Sequence, residues 1–145
     1  MEKIKLDSGM REYRIGDGGV LRFNPADPNL YARFLACGEK LQAIETELTQ
    51  KAKQAREEDL PGLSLLEEAD RKLKAMLSWV FGTHNDFHEI LGGVSLLARG
   101  ENGNRVIVNL LSALQPIMEE GAKICAQEES RKAVQKAQER RASQV

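Results

Sequence analysis

The chain has 145 residues, 41% hydrophobic and 30% charged, and its 21 basic and 22 acidic side chains nearly cancel to a net charge of -1. That size and balance fit one small domain and exclude a whole-molecule field favouring nucleic acid or an anionic membrane. No apolar run approaches the ~20 residues that span a bilayer, and Met1-Glu2-Lys3-Ile4-Lys5 has no apolar signal core behind it, so the chain is expected to stay in the cytoplasm of the cell that makes it.

Before residue 24 the apolar positions alternate. Ile4 and Leu6 share one face with Lys3 and Lys5 opposite; Tyr13 and Ile15 share a face; Leu21 and Phe23 resume the alternation after Gly16-Asp17-Gly18-Gly19. Period two around a glycine-rich turn predicts a β-hairpin, within a β segment of two or three short strands over 1–23. A turn centred on Gly18 sets Tyr13 opposite Phe23 and Ile15 opposite Leu21, an apolar face that helices must cover. The glycine cluster lacks the Lys-Ser/Thr ending and the strand-to-helix context of a phosphate cradle.

Asn24-Pro25-Ala26-Asp27-Pro28 stops the strand and starts a helix, with Asp27 as cap and Pro28 at the first helical position. Leu30, Phe34, Leu41, Ile44 and Leu48 carry its apolar stripe. The helix is predicted over 27–58, its last turns a solvated arm surrounded by Lys51, Lys53, Arg56, Glu57 and Glu58. Leu60-Pro61-Gly62 breaks the chain, and Ser64 with Glu67 makes a capping-box pattern, so the second helix is predicted over 64–81. Its stripe is Leu66, Ala69, Leu73, Met76, Leu77, Val80 and Phe81, with Trp79 at the core edge and Gly82 as stop.

Glycines 92, 93, 100 and 103 cut the next stretch into short pieces, with a two-turn helix predicted from Asn85 to Leu91. Phe87, Ile90, Leu91, Val94, Leu96 and Leu97 are too apolar for a free loop. They either dock on the helices or form an adhesive surface, and they are the candidate partner-binding residues. The last helix is predicted over 104–125, kinked near Ser112 by Pro116. Residues 126–145 read as a charged tail, flexible or a frayed helix, with too little apolar area to pack. The fold class is therefore α+β, mainly α: an N-terminal hairpin on three to four helices, in one globular domain over 1–125.

No catalytic, metal or cofactor site emerges from this pattern. His84 and His88 stand four apart, the spacing of two imidazoles on one helical face, but without a third marked ligand or a following Glu base. Cys37 and Cys125 have no local His and read as buried reduced thiols. No Gly-x-Ser-x-Gly elbow occurs. The bases of the tail are interleaved with Glu128, Glu129 and Glu139 and have no aromatic residue to stack on bases, which argues against a nucleic-acid arm.

The order of features resembles that of the small tail assembly chaperones of long-tailed phages and prophages of Gram-positive bacteria. The residues that carry the resemblance are Phe23-Asn24-Pro25-Ala26-Asp27-Pro28, the long charged helix after them, Val80-Phe81-Gly82-Thr83, and the apolar helix from Val106 to Ile124 with a charged tail. The likeness covers roughly residues 15–125, and the stretch from His84 to Asn104 departs from it. It implies a non-enzymatic protein that coats a tape measure protein, brings tail tube subunits to polymerise around it and forms homo-oligomers. It implies no cofactor, nucleic acid or membrane partner. A helical adaptor or regulatory protein of a phage or bacterium is the alternative, and a hydrolase using a metal on His84 and His88 is a third.

Overall fold

A computed structural model describes residues 1–54 and 61–143 of the protein. Strands β1 (Arg11–Arg14) and β2 (Val20–Phe23) pair antiparallel, and helices α1 (Pro28–Gln54), α2 (Pro61–Phe81), α3 (Phe87–Ile90) and α4 (Val106–Ser143) follow. The architecture is mainly helical, with an N-terminal hairpin on four helices.

Alternation places the hairpin's faces as expected, but the register differs. Tyr13 lies opposite Leu21 and Arg11 opposite Phe23. The shift is two residues, so the same side chains keep the inner face. Its cause is a double use of the glycines. Ile15 N–H donates to the Gly19 carbonyl at 3.0 Å and Gly18 N–H to the Ile15 carbonyl at 2.9 Å, while Gly16 takes a φ of +56°. Gly18 and Gly19 press on α3: a Cβ on Gly18 would sit 2.3 Å from the Ile90 carbonyl oxygen, to which Gly19 N–H donates at 2.8 Å.

The alternation at Ile4 and Leu6 does not produce a third strand. Residues 1–10 carry no regular structure, and Ile4 and Leu6 are 88% and 83% exposed. A strand exists only through a partner edge, and the root of this segment is held elsewhere. Asn24 Nδ2 donates to the Ser8 carbonyl at 3.0 Å, and Gly9 N–H to Asp7 Oδ1 at 2.9 Å.

Asp27 caps α1, its carboxylate accepting from Asn29 N–H at 2.9 Å. α1 is helical to Gln54; the last four residues of the predicted 27–58 helix lie outside the described residues. α2 opens at Pro61, three residues before the predicted start at Ser64. A proline in the first position has its φ preset and no donor to satisfy, and Ser64 and Glu67 become exposed residues inside the helix. The rest of the α2 stripe, from Ala69 and Leu73 to Val80 and Phe81, is buried, and Gly82 at φ +118° ends the helix.

α1 and α2 lie side by side. Lys40 Nζ sits 3.4 Å from the centroid of the Trp79 ring, a cation–π contact, and Arg33 Nε donates to the Val80 carbonyl at 2.9 Å, placing a cation at the negative end of α2. Phe23, Phe81 and Phe87 link hairpin, α2 and α3, with ring centroids 5.0 Å and 6.0 Å apart. Leu21, Leu77, Leu96, Leu110 and Leu114 complete the centre.

α3 is one turn instead of two, capped by Asp86, which accepts from His88 N–H at 3.0 Å and Glu89 N–H at 3.4 Å. α4 starts at Val106, two residues after the predicted start, and continues past Pro116 without interruption. The predicted end near 125 is also corrected: α4 runs to Ser143, a helix of 38 residues and about 57 Å. Every residue from Glu129 to Ser143 is exposed. The segment lacks apolar area, as expected, but its Ala, Gln, Glu, Lys and Arg are strong helix formers that extend an already nucleated helix at little cost. Cys125 Sγ donates to the Ala26 carbonyl at 2.9 Å, and the Tyr31 hydroxyl lies between the carbonyls of Pro25 and Met118. Burial and the neighbouring Cys125 thiol push the Tyr31 phenol above its ordinary range, against a backbone hydrogen bond at Ala122 that lowers it. Among the described residues no helix is long and apolar enough to cross a membrane.

Candidate partner-binding groove

The six apolar residues of α3 and the segment after it do not form one open face. Phe87, Ile90 and Leu96 are buried in the core, Leu91 and Leu97 pack against it half-buried, and Val94 alone is exposed. The segment docks because its backbone is tied down. Leu96 N–H donates to Asp70 Oδ1 at 2.7 Å, and Ile107 N–H to the Leu96 carbonyl at 2.9 Å.

Asp70 belongs to a buried polar cluster that charge spacing did not reveal. Its Oδ2 accepts from Lys74 Nζ at 2.8 Å, and both side chains are nearly inaccessible, at 11% and 8% exposure. Lys74 Nζ also lies 2.9 Å from Nδ1 of His88. An ammonium can only donate, so Nδ1 is the acceptor in this contact. His84 uses its Nε2 on the Arg22 carbonyl at 2.9 Å. His84 precedes the cap of α3 and is not on a helix, so the i,i+4 geometry does not arise. Among the described residues no group of three or more His, Cys, Asp or Glu could hold a metal ion. Cys37 is buried, and its Sγ donates to Met76 Sδ at 3.5 Å; burial pushes its thiol up, opposed by Lys40.

The open apolar surface lies on α1 and α2 instead. Leu41, Ile44 and Leu48 follow one another at i, i+3 and i+7 along α1, and Leu65, Leu66 and Leu73 face them from α2. Leu73 is buried, Leu41 and Ile44 pack half-buried against the core, and Leu48, Leu65 and Leu66 remain half-exposed. Two adjoining cavities of about 330 and 500 Å³ run along this pair. The first is closed at one end by Ile107 and Val108 of α4, and Arg105 borders both. The first turn of α4 covers the apolar side of the α1–α2 pair at that end; among the described residues no third helix lines the second cavity. The stripe itself was legible from spacing. That it would stay partly uncovered was not, because spacing says which face is apolar and not where the next helix lies.

On another side of the same pair four charges form a closed ring. Lys51 pairs with Glu47 at 2.9 Å and Glu68 at 3.3 Å, and Lys72 pairs with Glu47 at 2.8 Å and Glu68 at 3.4 Å. Lys72 and Lys51 together hold the Glu47 carboxyl down at about 2 and lower that of Glu68; the same contacts raise both lysines. A depressed carboxyl contributes stability that is full above its ordinary value, 4.5 here, and is lost as pH falls through the folded value. The melting temperature is therefore expected to fall as pH drops from about 4.5 to about 2, with a smaller fall in ~0.5 M salt because the ring is exposed and screened. E47Q should flatten that dependence. An unchanged pH profile in E47Q would remove the ring from the account of acid stability.

No family model, curated protein or solved structure matches the chain.

Proposed function

We propose that the protein is a non-enzymatic tail assembly chaperone of a long-tailed phage, holding apolar helical segments of a tape measure protein and assisting polymerisation of tail tube subunits. The observation that carries the reading is the apolar side of the α1–α2 pair, which the described residues leave partly uncovered. Leu41, Ile44, Leu48, Leu65 and Leu66 offer a two-helix wall that, among the described residues, α4 covers only at the Ile107 end, the geometry in which an amphipathic helix docks through i, i+3, i+4 and i+7 anchors. The resemblance carried by Phe23 to Pro28 and by Val80 to Thr83 supplies the identity of the helix. A helical adaptor would present the same wall to a different helix, so the test must use the tape measure itself.

Binding through this wall is apolar burial. It should survive ~0.5 M salt and show a negative heat-capacity change. L48E and L66E place a charge where the partner helix would lie, at half-exposed positions that tolerate it in the free protein. Both variants should keep the melting temperature of the wild type within a few degrees yet leave co-expressed tape measure protein insoluble. A tape measure that is equally soluble with and without the wild-type chain overturns the reading. Full activity in both folded variants moves the binding surface elsewhere.

A further inference from the structure

The two outer edges of the hairpin are treated differently. Arg22 on β2 points its backbone groups away from β1, and the side-chain amide of Asn85 takes both: Arg22 N–H donates to Oδ1 at 2.9 Å, and Nδ2 donates to the Arg22 carbonyl at 2.8 Å. Asn85 thus stands in for a neighbouring strand and closes that edge. In an antiparallel pair, opposite residues turn their backbone groups the same way relative to the ladder. Glu12, opposite Arg22, and Arg14, opposite Val20, therefore point theirs outward from β1. Among the described residues nothing bonds to them. An open strand edge is a template for one more strand.

Beside that edge lies an apolar cavity of about 370 Å³ between β1 and α4, lined by Tyr13, Ile15, Leu91, Val106, Leu114 and Ile117 among others. A strand added to β1 would turn alternate side chains into it and the others to the solvent face with Glu12, which pairs there with Arg22 at 3.2 Å. The chain itself carries a segment of this description. Lys3-Ile4-Lys5-Leu6 alternates cation and aliphatic residue, has no regular structure, and exposes Ile4 and Leu6 almost completely. Its aliphatic face suits the cavity and its lysines suit Glu12. Its root is bound at Ser8 to the side chain of Asn24, which follows β2, so the segment leaves the body from the β2 side, away from the free edge of β1.

We propose that residues 1–7 of one copy add as a strand to the β1 edge of a second copy, with Ile4 and Leu6 seated in the cavity between β1 and α4. Each protomer has one donor segment and one acceptor edge, so the contact is head-to-tail and propagates or closes into a ring. The assembly is independent of the helix groove and of the identity of any partner.

The test uses the full-length chain and two variants. I4D/L6D spoils the donor within a segment that has no role in the core. E12P spoils the acceptor by removing an N–H that points outward, a position at which an edge strand tolerates proline; retained helical circular dichroism and melting temperature verify its fold. By multi-angle light scattering at ~100 μM, wild type should exceed the 16.2 kDa protomer at least twofold, and each variant alone should be monomeric. An equimolar mixture should form a heterodimer and nothing larger, because it retains one intact donor and one intact edge. Monomeric wild type overturns the proposal, whether residues 1–7 stay free or fold back on their own β1. So does I4D/L6D that associates like wild type, or a mixture that stays monomeric while both variants are folded.

Discussion

D70A is expected to lose about 3–5 kcal/mol of folding stability, the usual consequence of removing one partner from a buried ion pair. The carboxylate of Asp70 accepts from two nearly inaccessible donors, Lys74 Nζ at 2.8 Å and Leu96 N–H at 2.7 Å. Its loss leaves a buried ammonium and an unpaired backbone N–H, and releases the segment that closes the core through Leu96. K74M should be milder. It strands one carboxylate oxygen, but Leu96 N–H still donates to Oδ1, and His88 Nδ1 belongs to an exposed residue that water can satisfy. D70L/K74M should be more stable than D70A alone, since a buried pair replaced by apolar groups removes both desolvation penalties together. Urea midpoints of the three variants decide this. D70A within ~1 kcal/mol of wild type would mean that Lys74 escapes to solvent, and the cluster would then have no structural weight.

G121V is the second large effect. A Cβ at position 121 would lie 1.8 Å from the Pro25 carbonyl oxygen and 2.6 Å from the Tyr31 hydroxyl. The nearest atoms are backbone, so α4 has to lift from the corner between β2 and α1. Lifting breaks the bond from Cys125 Sγ to the Ala26 carbonyl and separates Tyr31 from Met118. Overpacking of this kind costs at least ~1–3 kcal/mol. Hydrogen exchange should accelerate first between residues 118 and 125, where α4 meets the corner. G38A is the matching control. Gly38 lies within α1 with nothing near its missing Cβ, and alanine there should stabilise by ~0.5–1 kcal/mol from helix propensity alone. A thermal shift of G121V no larger than that of a surface substitution would show that α4 slides past Pro25 without loss.

These two sites mark the reach of the sequence. Nothing local marks Gly121 as a contact; only the approach of Pro25, nearly a hundred residues earlier in the chain, does. Asp70 and Lys74 stand four apart in the sequence, as Glu68 and Lys72 do beside them. The second pair is exposed and the first is buried, because the 91–105 segment folds over one and not the other. His84 and His88 share a spacing but not an element, since the helix begins at Phe87, between them, with Asp86 as its cap.

What the sequence by itself determined is what local periodicity and local steric rules can express. Alternation before residue 24 specified a hairpin and its inner face, and Asp27-Pro28 specified where α1 begins. The 3.6-residue stripes specified which sides of α1, α2 and α4 are apolar. What only the tertiary structure decided is which apolar surface meets which. The hairpin register followed from Gly18 and Gly19 touching Ile90, Leu96 went to the core, and Leu48 and Leu66 were left half-open. Period and propensity are properties of neighbours along the chain and act within about two helical turns. Closure of a groove depends on side chains and backbone brought together from distant positions, whose distances no local pattern encodes.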